Sequence, residues 1–291
     1  MRGLFKGLLW AFIIIFVLIP LIFTLVYMVW DKKESLKTGP QIGVLWVRGL
    51  IADPREYIEG LKSFRENTRI KAIVLRVDSP GGGVSAAQEI YRELERTKEV
   101  KPVVASLGSM ATSGGYYISC IANKIVANPG TITGSIGAIA VFPNFEKLFE
   151  KIGYTTVVIK SGEFKDVGNP ARPMTPEEES LIRETILEVH DQFVKDVAKA
   201  RGMEEETIRK LADGRIITGA KAKSLGLVDE LGNFQDAIDM AKNLAHIEGK
   251  AEIIYYEKKK KLIDFILGEE SASSIKNILF SVPNPIQWRF P

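Results

Sequence analysis

Four glycine-rich segments carry the side chains best suited to covalent chemistry: Asp78-Ser79-Pro80-Gly81-Gly82-Gly83, Thr112-Ser113-Gly114-Gly115, Thr133-Gly134-Ser135-Ile136-Gly137 and Ser161-Gly162-Glu163-Phe164-Lys165-Asp166. Ser113 stands just ahead of two glycines and a helical run, Tyr116 to Ile121. A hydroxyl there lies beside the free N–H groups of a helix start, which stabilise an oxyanion. Gly114 leaves its N–H unobstructed, and Gly81 and Gly82 bring a second backbone donor from a separate loop. Two such donors make an oxyanion hole, where losing one costs roughly 3–4 kcal/mol. Taken alone, each segment is equally an ordinary tight turn.

A serine nucleophile needs a base. The chain has only two histidines. His190 falls inside a long helical run and His246 near a helix end, so both read as surface or packing residues. Lys165 lies in a loop after a strand-like run, and its amine must be neutral to accept a proton. Burial away from water favours the neutral form. Asp166 opposes it unless the carboxylate points away. Ser135 can hold the neutral amine by a hydrogen bond without adding charge. A lone loop lysine is also commonly just a solvated one.

The loops sit at the ends of elements that alternate in type. Ile42–Val47, Ala72–Val77, Pro102–Leu107, Ile125–Ala127 and Thr155–Ile159 read as strands. Asp53-Pro54 opens a helix with Ile58, Leu61 and Phe64 on one face. Val84, Ala87, Ile90 and Leu94 mark a second helix, and Pro176 opens a long one from Glu177 to about Ala200. Alternating strands and helices imply an α/β domain with a largely parallel sheet. In such sheets, sites form at the carboxyl ends of strands, where these loops lie.

Of the 291 residues, 46% are hydrophobic, and 39 Lys+Arg stand against 36 Asp+Glu for a net charge of +3. That balance argues against a nucleic-acid partner. One Cys excludes an internal disulfide and a cysteine-based metal site, and with two His no metal or cofactor is expected. From Leu8 to Trp30 the chain runs 23 residues without a charge. A helix of that length spans roughly 35 Å, enough for a bilayer core. The run is longer than a signal-peptide core, and bulky Tyr27, Met28 and Trp30 occupy the place of a cleavage site. Arg2 and Lys6 precede it, which places residues 1–7 in the cytoplasm and the bulk of the chain outside it. Residues 31–39 are expected to be a linker, 40–250 the catalytic domain and 251–291 a tail. In that tail, basic Lys258–Lys261 beside Leu262, Ile263 and Phe265 suggests an amphipathic helix, packed on a neighbouring subunit in preference to lying on the membrane surface.

Together, the four motifs and their spacing, 22 positions from Ser113 to Ser135 and 52 to Lys165, resemble the signal peptide peptidase A family of bacterial membrane serine proteases, in its short form with one catalytic domain. The likeness runs from about Gln41 to Ala245. It implies a Ser/Lys dyad, with Ser113 as nucleophile, Lys165 as general base and Ser135 orienting the lysine. Gly114 and the Gly81–Gly82 region would form the oxyanion hole. The implied fold is the Clp protease/crotonase type, built from repeated β-β-α units. The implied assembly is a ring-shaped octamer, in which Ser and Lys can come either from one protomer or from neighbouring ones, and the implied substrates are signal peptides left in the membrane. Acyl-CoA enzymes of the crotonase type use the same two-amide hole, but leave Ser113, Lys165 and the anchor without a purpose.

Overall fold

The computed structural model describes residues 14–22, 24–25, 39–257 and 286–289. The chain divides into two units, residues 1–40 and 41–291. In the first, Ile14–Leu18 forms a π-helical stretch that continues as α-helix. Pro20 cannot donate to this helix, and its carbonyl accepts a bond from Thr24 Oγ1 at 2.6 Å. The apolar side chains here, Ile15 to Ile22 and Leu25, are exposed. Among the described residues no helix is long and apolar enough to cross a membrane; most of the 8–30 run, and the 258–285 part of the tail, lie outside them.

The second unit contains strands β1 (Gln41–Arg48), β2 (Ile70–Ser79), β3 (Gly81–Gly83), β4 (Val103–Thr112), β5 (Lys124–Ala127), β6 (Ile132–Gly134), β7 (Ile139–Ala140), β8 (Ile216–Thr218), β9 (Glu230–Leu231), β10 (Glu252–Tyr255) and β11 (Ile286–Arg289). Its helices are α1 (Arg55–Glu66), α2 (Val84–Lys98), α3 (Gly114–Cys120), α4 (Glu146–Lys151), α5 (Pro176–Arg201), α6 (Glu205–Leu211), α7 (Gly219–Ser224) and α8 (Phe234–Leu244). The main sheet runs β10-β1-β2-β4-β5-β9 with every pair parallel, and β6 pairs with β4 in parallel and with β8 antiparallel.

A parallel sheet covered on both faces needs apolar residues on both, and these strands supply them. Leu45, Val47, Ile73, Leu75, Val77 and Leu107 pack with Leu61, Phe64, Ala87, Ile90, Leu94 and Phe193 of α1, α2 and α5 on one face. Ile42, Val44, Val74 and Val104 meet Ala237, Ile238 and Ala241 of α8 on the other. This is an α/β fold of three layers, as the alternation of elements predicts.

Helix α1 spans Arg55–Glu66, with Pro54 in helical backbone just ahead of it and Asp53 Oδ1 accepting the N–H of Arg55 at 3.0 Å, the bond a capping aspartate makes. Two expectations change. Strand β10 adds to the edge of the sheet beside β1, so the segment 251–291 starts inside the core unit and not as a separate tail. Thr155–Ile159 is not a strand: it has β-rich composition but no neighbouring strand, and Val157 and Ile159 are 86% and 96% exposed. β-propensity registers fit to a half-buried pleated surface, and among the described residues none is supplied here.

Candidate active site

Strand β4 delivers Ser113. In the β2–β4 ladder Val77 faces Leu107, but the next pair is Ser79 with Ala111, so β4 bulges by two residues. Asp78 Oδ1 steadies the bulge by accepting the N–H of Met110 at 3.0 Å. Beyond it, Thr112 pairs with Gly134 of β6, and Ser113 N–H donates to the Gly134 carbonyl at 2.8 Å. Ser113 and Ser135 are therefore the next residues after a paired couple. Both leave their strands with positive φ, 53° and 50°. For a residue with a Cβ this is strained backbone, costing about 1–3 kcal/mol, of the kind that clusters at functional sites.

Ser113 is the N-cap of α3 and is 1% exposed. Its Oγ has no hydrogen-bond partner among the described residues. A buried hydroxyl left unpaired costs about 1–3 kcal/mol. Its carbonyl takes the N–H of Tyr117, which leaves the N–H of Gly114 among the unpaired donors of the first helical turn. The helix can come this close because residue 115 is glycine: a Cβ there would stand 2.9 Å from the carbonyl oxygen of Ser79.

Strand β3 forms the opposite wall, and Ser79 holds it. This serine is buried, donates to the Gly49 carbonyl at 2.6 Å and accepts the N–H of Gly81 at 3.0 Å. The Gly81 amide is thereby committed, which narrows the expected Gly81–Gly82 donor to Gly82. The Gly81 carbonyl and the Gly83 N–H both bond Ile51, at 2.8 Å each. Alternation along a strand then turns the N–H and carbonyl of Gly82 to the other side, toward β11. A Cβ on residue 82 would lie 2.1 Å from the carbonyl oxygen of Ile51. Gly82→Ala is therefore expected to displace β3 and cut kcat about 100-fold or more; kcat measured beside thermal unfolding separates loss of the donor from loss of the fold.

Strand β11 lies antiparallel between β3 and β7, with Trp288 opposite Gly82 and Gln287 opposite Ile139. The groove beside Gly82 thus accepts an extended backbone as a strand.

Lys165 sits on a 3₁₀ turn, Glu163–Asp166, and is exposed. Among the described residues no hydrogen bond or ion pair joins it to Ser113 or Ser135. Asp166, the residue that must point away, is engaged elsewhere: Lys160 Nζ donates to Oδ1 at 2.6 Å and Arg172 Nε to Oδ2 at 3.2 Å. Arg172 and Lys160 hold this carboxyl well below the usual carboxylate range. His190 Nε2 lies 2.7 Å from the Ala212 carbonyl and His246 follows the end of α8 with φ 52°, and among the described residues neither is hydrogen-bonded to Ser113 Oγ. Cys120 is fully buried in α3, and burial pushes its thiol pKa up. One chain brings together Ser113, Ser135, Gly114 and Gly82, and leaves Lys165 on the surface. The positioning roles of Ser79 and Asp78 go beyond the expected site residues; their presence in the Asp78-Ser79-Pro80 motif was the available signal.

Comparison with known proteins adds the family. The sequence profile of peptidase family S49 matches residues 95–248. A putative protease from Synechocystis, slr0021, is 41% identical over 247 residues, covering 84% of this chain and 88% of that protein. A putative signal peptide peptidase SppA from Enterococcus faecium is 38% identical, covering 72% of this chain and 66% of its own. Protease 4 of Salmonella typhi is 35% identical over 275 residues, and this chain spans 44% of its length. Among solved structures, a ClpP1 mutant from Listeria monocytogenes aligns with 67% of this chain and 94% of its own, at 18% identity and a TM-score of 0.47. With the profile over more than half of its residues and a relative matched along most of its length, the chain belongs to peptidase family S49, with the proteases named SppA and protease 4.

Proposed function

We propose that the protein is a membrane-anchored serine endopeptidase that degrades signal peptides left in the bilayer, using Ser113 and Lys165 as its dyad. The observation that carries this reading is Ser113 itself: a strained, buried hydroxyl without a partner, at a helix start, beside a groove that takes an extended backbone. Ser113 Oγ attacks the carbonyl carbon of a peptide lying as a strand along β3, in the place that β11 of the chain itself takes in this structure. Its proton passes to the neutral amine of Lys165. The N–H groups of Gly114 and Gly82 hold the oxyanion. The C–N bond then breaks, and the leaving amine takes the proton back from Lys165. Water, activated by the same amine, hydrolyses the acyl-enzyme.

The lysine comes from a neighbouring protomer in this reading. Three features support it: Ser113 Oγ has no base bonded to it among the described residues, Lys165 is exposed, and the segment leading to Lys165 bares Val157 and Ile159. A second copy covering those side chains would carry its Ser113 toward Lys165, within a ring of eight on a Clp/crotonase-type fold. The uncharged run 8–30 anchors the ring, with the catalytic unit outside the cytoplasm, where remnant signal peptides are at hand. The chemistry needs no metal or cofactor.

The test is direct. The full chain in detergent, incubated with a synthetic signal peptide, is expected to cut it at internal bonds detectable by mass spectrometry. A peptide that survives intact alongside fully assembled protein overturns the reading.

A further inference from the structure

The turn bearing Lys165 is tied down by four charged side chains from three stretches of chain. Lys160 Nζ donates to Asp166 Oδ1 and, at 2.7 Å, to the carbonyl of Glu163. Arg172 reaches Asp166 from the other side, with Nη2 3.0 Å from Oδ1. The same guanidinium grips Glu178, Nη1 to Oε2 at 2.7 Å and Nη2 to Oε1 at 2.5 Å. Glu178 is 3% exposed and is the third residue of α5. It also accepts the N–H of Thr175 at 3.0 Å, while Thr175 Oγ1 accepts the N–H of Glu178, so the quartet is bolted to the capping box of the longest helix. Asn169 Nδ2 adds a long contact to Asp166 at 3.4 Å. The four charges cancel. Lys165, between Phe164 and Asp166, is left out of every one of these pairs.

We propose that Arg172 is a positioning residue for Lys165: with Lys160 it clamps Asp166, cancelling the charge of the one carboxylate next to the amine in sequence and fixing the turn to α5. This rests on the reading of Lys165 as general base. An uncompensated carboxylate a few ångströms from an amine favours the ammonium form, which cannot take a proton from serine. The groups that set this field are Lys160, Arg172, Glu163, Asp166 and Glu178. Arg172 faces Asp166 and Glu178 at once, and holds both carboxyls low, Glu178 at about 2. Both therefore stay charged, and paired, at any pH where the enzyme works. A lysine in place of Arg172 carries the charge but not the fork that reaches two carboxylates.

The experiment is the pH profile of kcat/KM on the synthetic signal peptide, with the full-length assembled protein. Arg172→Met is expected to move the acidic limb to higher pH by about one unit, so that activity at neutral pH falls roughly three- to tenfold and returns in alkaline buffer. Asp166→Asn, nearly the same shape, removes the anion and leaves the two cations. Its limb is expected to move the opposite way, to lower pH. The double variant Arg172→Met/Asp166→Asn returns the limb close to that of the parent. Opposite shifts that cancel are not produced by simple loosening of the turn. If Asp166→Asn leaves the limb in place, or moves it to higher pH, the proposal is overturned, and this holds even where Arg172→Met fails to assemble. Failure of the underlying dyad looks different: Lys165→Ala would then retain its activity and its limb.

Discussion

Replacing Ser113 by alanine is expected to lower kcat/KM for peptide hydrolysis by at least about 1,000-fold, with no loss of stability. The two halves of this result have separate causes. Activity goes because no other hydroxyl occupies the start of α3 beside Gly114, and the oxyanion donors alone supply only a residue of the rate. Stability stays because Ser113 Oγ is buried and has no hydrogen-bond partner. Deleting it breaks no bond and removes an unsatisfied polar atom, which is neutral or gains up to about 1 kcal/mol. The positive φ of residue 113 persists in the alanine variant, so the backbone strain neither rises nor falls. Thermal unfolding at or slightly above the parent's temperature, beside negligible turnover, is the expected pair of measurements. A large drop in unfolding temperature would mean that Ser113 is a structural residue.

The second large effect is at Lys165. Lys165→Arg keeps the positive charge and most of the length, but a guanidinium does not lose its proton under any working condition. General-base catalysis contributes about 100- to 10,000-fold, and that is the expected loss. Because Lys165 lies exposed on a 3₁₀ turn outside the ion-pair quartet, folding of the single chain is expected to be untouched. The parent enzyme should lose activity as pH falls, when the amine takes up a proton and can no longer accept one from serine. Activity that is flat from about pH 5 to about pH 9 would contradict this, as would an active Lys165→Arg variant.

Much of this site was legible before any coordinates. Strand-loop-helix transitions at Asp78–Gly83 and Thr112–Gly115 combine a change of hydrophobic period with glycines, and such local signals do not depend on distant partners. The apolar runs of β2 and β4 are equally plain as strands. What escaped was long-range. Thr155–Ile159 has the composition of a strand, but pairing needs an edge, and no described strand offers it one. The start of the expected tail forms strand β10 because it pairs with the edge of β1. One further feature is local: Ser79 takes the N–H of Gly81, two residues on, in a serine turn, so that N–H is not offered to a substrate. The link between Arg172 and Asp166 crosses a loop whose path the sequence does not specify. The acidic start of α5 after Pro176 is the one half of that device visible in the sequence.

Covalent labelling tests the central claim most directly. The assembled full-length protein is treated with a fluorophosphonate, which reacts with activated serines, and digested for mass spectrometry. One adduct is expected, on Ser113, formed much more slowly in Lys165→Ala protein and absent from Ser113→Ala. Peptide hydrolysis by protein that carries no adduct on Ser113, or an adduct on a different serine that abolishes activity, would contradict the account.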